Sequence, residues 1–236
     1  MSNHLWQRLG AASGIVYVAV ILAPDLIPRD QSKELTMTAA EAMAQSCATI
    51  TAARLTDAIV PISHILGYLF FLFFLGSLWS ALRRAEGGDG WLSAAAFGGG
   101  LVSLAIRLSS ATVSLAVVHN SCAGIDPQLF QILTNDVGGA ALFLSFFPLA
   151  VLSVACAVMA IRFGALPRWL GWMSAVVAVA LLVDGMAGTM SAREFGPSAL
   201  LFLLWVLVTS IILVQRVGKP LPSGSATLVS QAGEIS

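Results

Sequence analysis

Six long apolar runs, separated by short polar clusters, divide the chain. They cover about residues 9–27, 58–82, 91–118, 137–161, 169–187 and 198–214. A helix needs about 20 mostly apolar residues to cross the hydrocarbon of a bilayer. The runs are continuously apolar and do not alternate, which excludes the strands of a membrane barrel. The pattern predicts an all-α fold: a polytopic transmembrane helical bundle of six transmembrane helices. It forms one domain over residues 1–218, followed by a disordered cytoplasmic tail over 219–236 that is rich in Pro, Ser and Gly. The first run has the apolar core of a signal peptide. Pro24-Asp25-Leu26-Ile27-Pro28 is a poor cleavage context, so the run is read as a retained span.

The polar clusters set an orientation. Arg8, Arg83, Arg84, Arg162, Arg168, Arg216 and Lys219 fall on one side of the six spans, and Arg29, Lys33, Arg54 and Arg193 on the other. Short loops rich in Lys and Arg stay cytoplasmic, so both termini are expected inside. Trp6, Trp91, Trp169 and Trp172 then lie near the inner interface, where amphipathic rings prefer to sit. The longest connection, residues 28–57, is extracytoplasmic. Its Ala-rich part, 38–54, is read either as a short interfacial helix or as an ordered cap.

Composition strengthens this picture. The 236 residues are 58% hydrophobic and 10% charged, with twelve basic residues against twelve acidic ones. Soluble domains carry about 25% charged residues. Zero net charge removes a strongly basic nucleic-acid binder, so no nucleic-acid partner is expected. The bilayer is the first partner, and a cell (inner) membrane location is expected.

Two charges lie deep within the runs. Arg107 is roughly 24 Å along the third run from Trp91, and Asp184 roughly 22 Å along the fifth from Trp169, at 1.5 Å per residue. An unpaired charge at mid-membrane costs at least about 2.5 kcal/mol on insertion scales. Arg107 and Asp184 are therefore expected to pair, or to share a polar pocket in the outer half. Ser103, Ser110 and Ser114 flank Arg107 at helical spacing, and His64 lies in the second run beyond Asp57 and Pro61. The pair has a structural reading, fixing helix register, and a functional one, marking a ligand path. The hydroxyls equally suit satisfaction of backbone carbonyls.

His64, His119, Asp136 and Asp184 are acceptable metal ligands by type but show no compact ligand spacing, so they form a weak metal set. His64 and His119 are weaker still as haem ligands, because His119 stands near the end of its run. No cofactor is expected. Cys47 and Cys122 both fall in outer loops, where a disulfide is compatible with an oxidising compartment. Cys156 is a mid-span packing residue. Gly10-x-x-x-Gly14, Gly98-Gly99-Gly100 and Gly138-Gly139 suit close helix approach. Pro61 and Pro148 each remove a backbone donor within a span.

Several of these residues carry a family resemblance. Arg8-Leu9-Gly10 followed by Gly14-Ile15-Val16-Tyr17, Arg107-Leu108, and above all Leu166-Pro167-Arg168-Trp169-Leu170-Gly171-Trp172 resemble the domain of unknown function 4386 family of bacterial integral membrane proteins. The resemblance runs from about Arg8 to Gly185. Asn135-Asp136 stands where that family often shows a His, and Ala180-Leu181-Leu182-Val183 replaces its Gly-x-Tyr-Leu. The resemblance implies a multi-pass membrane protein and no established activity.

Three functions remain open on these residues. The first is a non-enzymatic protein that binds or translocates a small or lipid-like ligand at an outer-half pocket around Arg107 and Asp184. The second is a metal-dependent intramembrane enzyme built on His64, His119, Asp136 and Asp184. The third is a structural or partner-binding membrane subunit, including a homo-oligomer packed through its Gly-rich faces.

Overall fold

The computed structural model describes residues 3–23, 38–51, 55–190 and 197–216. Among them every regular element is helical. In chain order they are α1 (Asn3–Leu22), α2 (Ala39–Thr51), α3 (Leu55–Glu86) and α4 (Trp91–His119), then α5 (Pro127–Gln131), α6 (Val137–Leu144), α7 (Phe146–Phe163), α8 (Arg168–Met190) and α9 (Pro197–Arg216). A 3₁₀ turn, Ser121–Ala123, follows α4, and a π-helical turn, Ile132–Asp136, joins α5 to α6.

Five spans are long and apolar enough to cross a membrane: Ser63–Glu86, Trp91–Val117, Val137–Phe163, Arg168–Gly188 and Pro197–Arg216. The apolar part of α1, Arg8–Leu22, is shorter. The first apolar run of the sequence thus maps to a helix that starts earlier, at Asn3, and ends at Leu22. Residues 24–27 of that run, and the tail 217–236, lie outside the described residues.

The long helices form a closed ring. α1 packs on α3, α3 on α4, α4 on α7, α7 on α8, α8 on α9, and α9 returns to α1. Small residues allow the close contacts. A Cβ on Gly14 would overlap the Ser210 hydroxyl and the Phe74 ring, so α1 approaches both α9 and α3 at this point. A Cβ on Gly99 would press on the Pro148 carbonyl, which brings the α4 and α7 backbones together. The core between the helices holds Phe74, Phe146, Trp205 and Leu152, all fully buried. Trp205 donates its indole N–H to Ser174 Oγ at 2.7 Å, and the Ser174 hydroxyl in turn donates to the Leu170 carbonyl at 2.8 Å. That chain satisfies a buried donor and ties α9 to α8.

Caps explain where several elements begin. Thr38 and Glu41 form a reciprocal capping box at the start of α2. The Glu41 carboxylate accepts from the Thr38 backbone N–H at 2.8 Å, and the Glu41 N–H donates to Thr38 Oγ1 at 3.4 Å. Glu86, the last residue of α3, reaches across the turn and accepts from the Leu92 and Ser93 N–H groups, each at 2.9 Å. These are first-turn donors of α4 with no partner inside their own helix. Asp126 accepts from the Gln128 and Leu129 N–H groups, and Pro127 opens α5.

The fourth apolar run is one rod with a break. Ser145 separates α6 from α7. Pro148, three residues on, has no N–H to offer, which weakens the helical ladder at this level. Ser145 Oγ donates to the Leu142 carbonyl at 2.6 Å. Pro61, by contrast, sits within the unbroken α3.

Candidate functional site

Arg107 lies within α4, twelve residues before His119, or roughly 18 Å from that end of the helix. Its side chain is half-buried. Nε–H donates to Ser145 Oγ at 3.0 Å, and the guanidinium carbon lies 5.9 Å from the centroid of the Phe146 ring. Both contacts stabilise the cation, one by a charge-assisted hydrogen bond and one through the ring quadrupole. Both come from the break between α6 and α7.

Around the guanidinium is a small cleft lined by Tyr17, Tyr68, Phe71, Ser103, Leu104, Arg107, Leu149 and Phe202. These residues come from α1, α3, α4, α7 and α9, so the cleft lies inside the ring. It encloses about 10 Å³, which is on the order of what one water molecule requires. Toward the Arg216 end of the bundle its lining continues into packed aromatic rings. Tyr17 meets Phe71 at 5.0 Å between centroids, Phe71 meets Phe202 at 6.0 Å, and Phe202 meets Trp205 at 5.7 Å. Phe74 and Trp205 beyond them are fully buried.

The structure gives the two deep charges separate partners. Arg107 is bound to Ser145, whereas Asp184 Oδ2 accepts the Ser198 backbone N–H at 3.1 Å. Among the described residues no ion pair joins them, and Asp184 does not line the cleft. The physical reason is helix order: α7 packs between α4 and α8, so the two side chains stand on helices that are not neighbours in the ring. Asp184 instead supplies an acceptor and a negative charge to the first turn of α9, where orphan N–H groups and the helix dipole both favour it. It does for α9 what Glu86 does for α4.

The other candidates are dispersed. Ser103 is fully buried and lines the cleft. Ser110 is half-buried two turns further on and faces Gly138 of α6. His64 is half-buried on α3, with its ring 6.4 Å from that of Tyr68. Asp136 is exposed at the end of the π-helical turn. The side chains of His119 and Ser114 lie outside the described residues. Among the described residues no three His, Cys, Asp or Glu side chains come together to hold a metal ion. Cys47 of α2 is bonded to Cys122 of the 3₁₀ turn after α4, with Cα atoms 5.0 Å apart. This lies inside the Cα separation that a disulfide requires, under about 7 Å. Cys156 is free and buried.

Tyr17, Tyr68 and Ser145 are the site residues that the sequence pattern does not single out. A serine shortly before Pro148 in an otherwise apolar stretch was the available signal for Ser145. The tyrosines had none, since they meet only through the packing of α1 on α3. Chemically, the cleft combines a cation with phenol and hydroxyl groups. This set suits donation of hydrogen bonds to an anionic oxygen.

No family model, curated protein or solved structure matches the chain.

Proposed function

We propose that this chain is a multi-pass protein of the bacterial inner membrane with six spans and both termini cytoplasmic. In this reading it binds or translocates a small or lipid-like ligand through an anionic end group held at Arg107. The observation that carries it is a half-buried cation at mid-helix that, among the described residues, has one protein acceptor, beside a cleft shared by Tyr17, Tyr68 and Ser103. A cation at that depth gains from a complementary anion, and among the described residues no carboxylate supplies one. The enclosed space admits a single small polar group, so the rest of such a ligand lies in the open part of the cleft or displaces side chains. Membership of the domain of unknown function 4386 family belongs to the same proposal and rests on the segment 166–172.

The test is binding of a simple anionic amphiphile, oleate, to the detergent-purified full chain, followed by native mass spectrometry. Loss of a charge-assisted hydrogen bond costs about 1.5–3 kcal/mol. Arg107→Gln is therefore expected to weaken binding by about tenfold or more, with helix content unchanged and Arg107→Lys intermediate. Oleate binding that is equal in wild type and a folded Arg107→Gln variant would overturn the reading.

A further inference from the structure

A second charged region lies far from the cleft, at the turn between α7 and α8. Arg162 stands exposed in the last turn of α7, and Arg168 stands exposed as the first residue of α8. The turn between them is tight. Gly164 adopts a left-handed conformation at φ 64°, and the Ala165 N–H returns to the Met159 carbonyl at 3.3 Å. A third arginine joins from another helix: Arg216, ending α9, donates from Nη1 to the Ala165 carbonyl at 2.7 Å. Three arginines thus flank one short turn, one at each end of it and one bonded to its backbone.

Neutralising carboxylates are missing from the stretches of α7, α8 and α9 near this corner, since Asp184 of α8 stands sixteen residues beyond Arg168. Residues 137–183 and 197–216 contain no Asp or Glu. Beside the arginines, Trp169 and Trp172 are 55% and 68% exposed, three residues apart on one face of α8. Exposed tryptophans at a span end mark the headgroup level, where the ring body stays apolar and the N–H stays wet. Basic residues at that level attract anionic lipid headgroups.

We propose that the α7–α8 turn, with Arg216, is a binding site for the phosphate headgroup of an anionic phospholipid, seated between Arg162 and Arg168 and flanked by Trp169 and Trp172. The paired tryptophans favour a lipid over free phosphate, because they place the site at an apolar–polar boundary. The inference does not depend on the Arg107 reading, which concerns a different part of the bundle.

The test uses the detergent-solubilised full chain titrated with phosphatidylglycerol or phosphatidylcholine and read by native mass spectrometry. Phosphatidylglycerol is expected to bind more tightly. Each arginine near a membrane surface is worth about fivefold in affinity, so Arg162→Gln with Arg168→Gln should weaken phosphatidylglycerol about 25-fold toward the phosphatidylcholine level. Arg84→Gln, at the α3–α4 turn, should leave binding unchanged. Excess inorganic phosphate should leave the lipid in place. Equal affinity for the two lipids in wild type overturns the proposal, and this comparison needs no variant. An unaltered double variant, an equal loss in Arg84→Gln, or displacement by inorganic phosphate overturns it as well.

Discussion

Arg107 donates its Nε–H to Ser145 Oγ at 3.0 Å, and Ser145 is the residue at which the fourth apolar run breaks between α6 and α7. The cation is thus held by the irregularity of a neighbouring helix, and among the described residues no counter-charge meets it. Hydrogen bonds to charged groups contribute about 1.5–3 kcal/mol, so Ser145→Ala should destabilise the bundle by about that amount. A double-mutant cycle between Ser145→Ala and Arg107→Gln should show coupling in this range. The same cycle between Arg107→Gln and Asp184→Asn should be additive within about 0.5 kcal/mol, as for sites without shared partners. Thermal unfolding in detergent measures both. Strong Arg107–Asp184 coupling would contradict the helix order described here.

Asp184 accepts the Ser198 N–H at the start of α9, so its substitutions should follow the rules of an N-terminal cap. Asp184→Ala is expected to cost about 1 kcal/mol, within the usual span of about 0.5–2 for cap removal. Asp184→Asn keeps an acceptor oxygen and should recover most of that loss. A metal ligand or a buried half of an ion pair would respond differently, with Asn nearly as damaging as Ala. Stability of the three proteins, compared at one pH and detergent concentration, separates these outcomes.

Cys47 and Cys122 close a loop with a sequence separation of 75 residues, tying α2 to the exit of α4. Cross-linking a loop of this length is worth about 4 kcal/mol in the chain-entropy account. Cys122 is exposed, so a small reductant can reach the bond. Wild type should migrate faster on a non-reducing gel than after reduction, and Cys47→Ser should abolish the difference. Reduction should also lower the unfolding temperature of wild type while leaving Cys47→Ser unaffected. Identical mobility with and without reductant would show that the bond does not form in the expressed protein.

The helical fold was legible because apolar runs near 20 residues have few other uses. Ring order was not, because nothing along the chain states that α7 stands between α4 and α8. Arg107 and Asp184 announced themselves by charge alone, yet charge does not choose a partner. A backbone N–H at a helix start satisfied Asp184, and a serine hydroxyl beside a break satisfied Arg107. The break at Ser145 was only half visible, since Pro148 marks just its neighbourhood, and the separate π-helical turn over Ile132–Asp136, ahead of α6, leaves no hydropathy trace. Tyr17 and Tyr68 read as ordinary span residues until α1 packs against α3. The capping box at α2, Thr38-Ala39-Ala40-Glu41, went unread in the Ala-rich stretch 38–54, because a threonine followed three residues later by a glutamate leaves no mark on hydropathy.

That box makes α2 sensitive to acid. The Thr38 backbone N–H, and then its hydroxyl, bond the Glu41 carboxylate and hold its pKa below the ordinary value of 4.5. A carboxyl group whose pKa is lower folded than unfolded binds fewer protons when folded, so its contribution is fully present above the unfolded value. As the pH falls through the lower, folded value the carboxylate is protonated, and that contribution is lost. The start of α2 should therefore fray in strong acid while the long helices persist. Amide resonances of Thr38 and Glu41, followed by NMR on the detergent-solubilised chain, should shift with a midpoint below 4.5. In Glu41→Gln, which keeps an acceptor but cannot ionise, the acid-dependent shift at Thr38 should vanish. A Thr38 titration that persists in Glu41→Gln would assign the acid response to another group.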